Sequence, residues 1–123
     1  MPPPCHPEGA KLEGVDLTCA KLDGANLKGA TFSGSNLEYA SFGGANLDSA
    51  DFFNAEAYFA SFAGANLLNA KFVGANLEGA VFKGAIGMQS AEFTQASGIG
   101  SATWGSANPL ATPGGGWGNR PSG

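Results

Sequence analysis

From Ala10 to Gly84 the chain repeats one five-residue unit without insertion: a small residue, a polar one, a large apolar one, a variable one, and commonly glycine. Fifteen such pentads follow one another, opening AKLEG, VDLTC, AKLDG, ANLKG, ATFSG, SNLEY, ASFGG, ANLDS. The first position is Ala in thirteen, with Val15 and Ser35 the exceptions, and the third is Leu or Phe in fourteen, with Ala57 the exception. The second position is polar in fourteen and the fifth is Gly in nine. A period of five suits neither common element. On an α-helix five residues advance by about 500°, so Leu12, Leu17 and Leu22 would wander around the axis. On a straight strand an odd repeat sends successive large residues to opposite faces. Every Leu or Phe can point inward only if the chain turns once per pentad, with glycine easing the corner. The product is a coil of short strands stacked in parallel.

A second period sets the number of sides. Phe holds the third position at 32, 42, 52, 62, 72 and 82, and Leu the alternate slots at 27, 37, 47, 67 and 77. This alternation requires an even number of sides, and four is the smallest even number that encloses a core. One coil then takes twenty residues, with Phe32, Phe52 and Phe72 in one column, Phe42, Phe62 and Phe82 opposite, and Leu17, Leu37, Ala57 and Leu77 in another. The unit, close to A-(N/D)-L-x-G, resembles that of the pentapeptide-repeat family over 75 of 123 residues. The resemblance implies an all-β fold, a right-handed quadrilateral parallel β-helix. About four regular coils are expected, roughly 18 Å tall at strand spacing, with an irregular C-terminal cap.

The predicted organisation is an extended segment over 1–9, the repeat over 10–84, a degenerate final coil and cap over 85–111, and a Gly/Pro-rich tail over 112–123. AEFTQ at 91–95 and ATWGS at 102–106 read as pentads each displaced by one extra residue, with Phe93 and Trp104 covering the core. At Ala57 either the coil pinches or Tyr58 or Phe59 moves in to fill the space.

Composition narrows function. Charged residues are only 13% of the chain and the net charge is −4, which argues against direct nucleic-acid binding through phosphate neutralisation. Two cysteines, Cys5 and Cys19, leave room for at most one disulfide. No apolar run approaches the ~20 residues of a membrane span, and the N-terminus carries no signal-like pattern, so no membrane insertion and a cytoplasmic location are expected. His6 is the sole histidine, and no nucleophile, base and orienting partner group together. No enzyme activity, metal or cofactor is expected.

The surface is more informative when sorted by side. The side formed by 15–19, 35–39, 55–59 and 75–79 carries Asp16, Glu38, Glu56 and Glu78 with no base, while charges on the other three sides nearly cancel. The same side holds Tyr58, with Tyr39 and Phe59 at its corner, and Phe53 lies outward on the adjoining side. Exposed aromatics of this kind mark interfaces; the alternative is that they shield corners lacking glycine. The predicted partner-binding set is therefore Asp16, Glu38, Tyr39, Phe53, Glu56, Tyr58, Phe59 and Glu78, facing a basic protein, with self-association to a homodimer second. Asn26, Asn46 and Asn66 form an outward column best explained as amides bonding along the stack. Thr18 and Thr31 form no column, which argues against an ice-binding array.

Two functions follow. One is a non-enzymatic structural or protein-interaction module. The other comes from the resemblance, since some pentapeptide-repeat proteins are dimeric acidic rods that mimic DNA and bind DNA gyrase. Duplex DNA carries roughly ten charges over this height, against the four acids of one side.

Overall fold

The computed structural model describes residues 13–104. The expected segment 1–9, the stretch 105–111 of the expected cap and the tail 112–123 lie outside the described residues. Within each pentad the turn is closed by the N–H of the next first-position residue donating to the third-position carbonyl, as from Ala45 to Phe42 and from Ala65 to Phe62, both at 3.0 Å. The fifth residue is the penultimate residue of this four-residue turn, where a positive φ is required. It is left-handed at every corner from Gly14 to Gly84, which is why glycine dominates there.

Between turns the backbone bonds along the stack. Ser61 N–H donates to Ala40 O at 2.9 Å and Phe62 N–H to Val81 O at 2.7 Å. Each second-position residue thereby pairs in parallel with the residue twenty positions on, as in Asp16↔Asn36, Lys21↔Ser41, Asn26↔Asn46 and Thr31↔Asp51. A register of twenty gives four sides per coil, the smallest even number that encloses a core.

The core is a double aromatic stack. Phe32, Phe52, Phe72 and Phe93 lie parallel at 4.7–5.1 Å. Phe42, Phe62, Phe82 and Trp104 do the same at 4.5–5.1 Å. The two columns meet edge-on across the axis at 5.4–6.0 Å. Both favoured aromatic geometries are thus used at once. Ser35 replaces the inward Ala without an unsatisfied group, because its buried hydroxyl donates to Phe32 O at 2.6 Å.

The second position has a further duty. Asp16, Asn26, Asn36, Asn46, Asp51, Asn66 and Asn76 each accept the N–H two residues on, at 3.0–3.3 Å. These Asx turns supply a partner for an N–H that the ladder leaves over, so the repeat prefers Asn and Asp on chemical grounds. The Asn column also bonds lengthwise, Asn46 Nδ2 to Asn26 Oδ1 at 3.4 Å and Asn66 Nδ2 to Asn46 Oδ1 at 3.3 Å.

Beyond Gly84 the winding continues with two six-residue sides, 85–90 and 96–101. The pairing offset grows from twenty at Asn66↔Ile86 to twenty-one at Lys71↔Glu92 and twenty-two at Val81↔Thr103. In both, glycine takes the third slot and the next residue, Met88 or Ile99, is buried instead. Short 3₁₀ turns, Met88–Ser90 and Ile99–Ser101, absorb the extra residue. Ser90 Oγ accepts Asn69 N–H at 2.9 Å, and Ser101 Oγ accepts Gly79 N–H at 3.1 Å, so the previous coil keeps its bonds. Phe93 and Trp104 extend the aromatic columns, and Trp104 Nε1–H donates to Ile99 O at 3.1 Å.

Candidate functional site

The acidic side is built by the register of twenty. Asp16, Asn36, Glu56 and Asn76 form its second-position column, and Thr18, Glu38, Tyr58 and Glu78 fall in its fourth-position column. Asp16, Glu56 and Glu78 are exposed, while Glu38 and Tyr58 are half-buried. No lysine or arginine stands among the described residues of this side. Asp16 accepts the Thr18 hydroxyl at 2.6 Å and its N–H at 3.1 Å, and these bonds, the hydroxyl first, hold its carboxyl below the ordinary value. The negative charge at that end of the side is therefore secure near neutral pH.

One corner of this side carries Cys19, Tyr39, Phe59 and Gly79, at φ 62°, 59°, 57° and 69°. Tyr39 and Phe59 are 59% and 47% exposed, and their rings stack at 5.2 Å with planes 10° apart. Phe59 in turn lies over Gly79, where any Cβ would run into its ring. Bulky side chains at left-handed φ are rare because Cβ crowds the following carbonyl, at a cost of about 1–2 kcal/mol per residue. Two neighbouring corners pay that cost: Phe59 covers the bare corner of Gly79, Tyr39 covers Phe59, and about half of each residue stays exposed.

The pentad 55–59 departs from the repeat at three structural positions together. Glu56 replaces the Asx residue, and among the described residues Tyr58 N–H has no acceptor, as also happens where Lys or Val holds that slot. Ala57 replaces the large third residue, and Phe59 replaces the corner glycine. The backbone does not respond. Ala57 N–H reaches Asn76 O at 2.8 Å, the same length as the Leu17-to-Asn36 and Leu77-to-Ser97 bonds. Of the two rings expected as fillers at Ala57, Phe59 is 47% exposed and Tyr58 is half-buried. Ala57 is fully buried between Leu37 and Leu77.

Of the eight sequence-predicted residues, the structure brings Tyr39 and Phe59 into contact and places Asp16, Glu38, Glu56, Tyr58 and Glu78 on the side they border. Phe53 is 47% exposed but stands on the adjoining side, and neither it nor Tyr58 makes a ring contact with the stacked pair among the described residues. Sequence reasoning missed Gly79, the bare backbone beneath Phe59. Its signal is the fifth-position column at intervals of twenty.

A family model for pentapeptide repeats matches eight copies over residues 8–34, 30–67 and 60–97. No curated protein sequence matches the chain. Among solved structures, a trypsin-treated form of QnrB1, a plasmid-mediated fluoroquinolone resistance protein, is similar at 26% identity with a TM-score of 0.69, covering 72% of this chain and 46% of that one. The chain thus spans about half the length of that relative. A pentapeptide repeat protein, Rfr23, from the cyanobacterium Cyanothece 51142 matches at 26% identity and TM-score 0.36 over 76% of this chain and 60% of its own. A pentapeptide repeat protein from the Arabidopsis thaliana thylakoid lumen matches at 30% identity and TM-score 0.28 over 72% and 68%.

Proposed function

The chain belongs to the pentapeptide-repeat family, whose right-handed quadrilateral β-helix it shares, and from this we propose that it is a non-enzymatic interaction module presenting its acidic, aromatic-edged side to a basic protein. The observation that carries this reading is the pentad 55–59. The Asx residue, the core Leu or Phe and the corner glycine are missing together in these five residues, and at their surface stand Glu56, the half-buried Tyr58 and Phe59 stacked on Tyr39. Sequences depart from local rules where function asks for it. Large rigid rings give contact area at low entropic cost, and unpaired carboxylates nearby draw a basic partner in.

The test is kinetic. Association of an immobilised chain with polylysine should slow in a Glu38→Lys/Glu56→Lys variant, and raised salt should mimic the effect. Changes around Ser41, Ser61 and Ala63 on the neighbouring side should leave the rates alone. Rates that follow the Ser41 side instead place recognition elsewhere.

A second reading, a DNA-mimicking regulator of DNA gyrase, is favoured by the similarity to a fluoroquinolone resistance protein. Four acids against the roughly ten charges of an equal length of duplex weigh against it. Inhibition of gyrase supercoiling by the full chain would favour this second reading over the first.

A further inference from the structure

We propose that the Tyr39–Phe59 corner is a seat for an arginine side chain of the basic partner. The inference rests on the acidic side being a recognition surface and adds which cation it selects. Phe59 is sandwiched between the Tyr39 ring and the bare backbone of Gly79. Tyr39, the more exposed of the two at 59%, has used only one ring face; the next corner in the other direction carries only the small Cys19. A planar group can therefore extend the stack. Glu38, the chain neighbour of Tyr39, is a carboxylate with no hydrogen-bond or ion-pair partner among the described residues, and Glu78 stands likewise beside Gly79.

A flat ring face at the edge of a side that carries only carboxylates fits guanidinium better than ammonium. Arginine stacks on aromatic faces and donates two parallel N–H bonds to a carboxylate, whereas lysine presents a compact, strongly hydrated charge. A neutral aromatic would use the ring and waste the acids. A second copy of the chain would bring four more acids to the same place. The occupant that satisfies both halves of the corner is an arginine.

Two synthetic peptides of equal length and charge, one alternating Arg and Gly, the other Lys and Gly, test this by calorimetric titration of the full chain. The Arg-Gly peptide should bind roughly three- to tenfold more tightly. In a Tyr39→Gly/Phe59→Gly variant that preference should fall to near unity, while salt-dependent binding of both peptides remains. Glycine is the residue each corner backbone prefers, so the variant should fold, and its melting midpoint is the check. Equal affinities in the native chain overturn the arginine seat and leave the acidic recognition surface standing. A preference that survives the double substitution also overturns it, because arginine is then selected elsewhere. If neither peptide binds, the acidic surface falls together with the seat.

Discussion

A phenylalanine in this chain has a different worth at the third, fourth and fifth position of its pentad. Phe62 is fully buried, stacked 5.1 Å from both Phe42 and Phe82, so Phe62→Ala should cost ~3–5 kcal/mol. Phe53 is 47% exposed at a fourth position, and its removal should cost under ~1 kcal/mol. Equal losses in denaturant melts would reverse the inward and outward assignments. Ala57 provides the opposite experiment. It shares a column and an unaltered ladder with Leu37 and Leu77, so Ala57→Leu should raise stability by about 1–3 kcal/mol, the inverse of a core truncation. A loss would mean that the neighbouring rings have closed over the site and that leucine overpacks it.

The pentad and its six-residue variant differ in what their glycines do. Gly24 and Gly44 sit at open corners, where a Cβ meets nothing within 4 Å, so alanine there should cost only the left-handed strain of about 1 kcal/mol. A Cβ on Gly87 would lie 2.5 Å from the Leu68 nitrogen, and one on Gly98 closer still to that of Glu78. Gly87→Ala and Gly98→Ala should therefore cost at least about 2 kcal/mol more than Gly24→Ala, read from unfolding midpoints. The regular pentads were legible in the sequence because periods of five and ten leave few ways to bury Phe and Leu. The extra residues after Gly84 were legible too. Their geometry was not, since Met88 and Ile99 become core only through close approach of a glycine backbone that no periodicity announces. The Asx turns were hidden likewise, because an outward polar slot and a backbone cap look the same as letters. The Tyr39–Phe59 contact followed from register alone, whereas the strain beneath it is a property of φ.

For the whole rod, charge and shape combine on one side. Acids at Asp16, Glu38, Glu56 and Glu78 stand where no described base offsets them, so encounter with a basic partner should depend on salt. Removing Tyr58 and Phe59 should instead speed dissociation, because their contact area forms only after docking. Surface plasmon resonance against polylysine separates the two effects; a salt-independent association rate would deny the acids their role. The central claim is that the pentad 55–59 gives up stability to keep this surface. Its neighbour in the stack, 75–79, reads Ala-Asn-Leu-Glu-Gly. Copying it through Glu56→Asn, Ala57→Leu, Tyr58→Glu and Phe59→Gly restores the Asx residue, the core leucine and the corner glycine, and leaves the net charge at −4. The free energy of unfolding of that variant should exceed that of the native chain by about 2–5 kcal/mol, and an equal or lower value would show that the pentad was shaped by the fold and not by a partner.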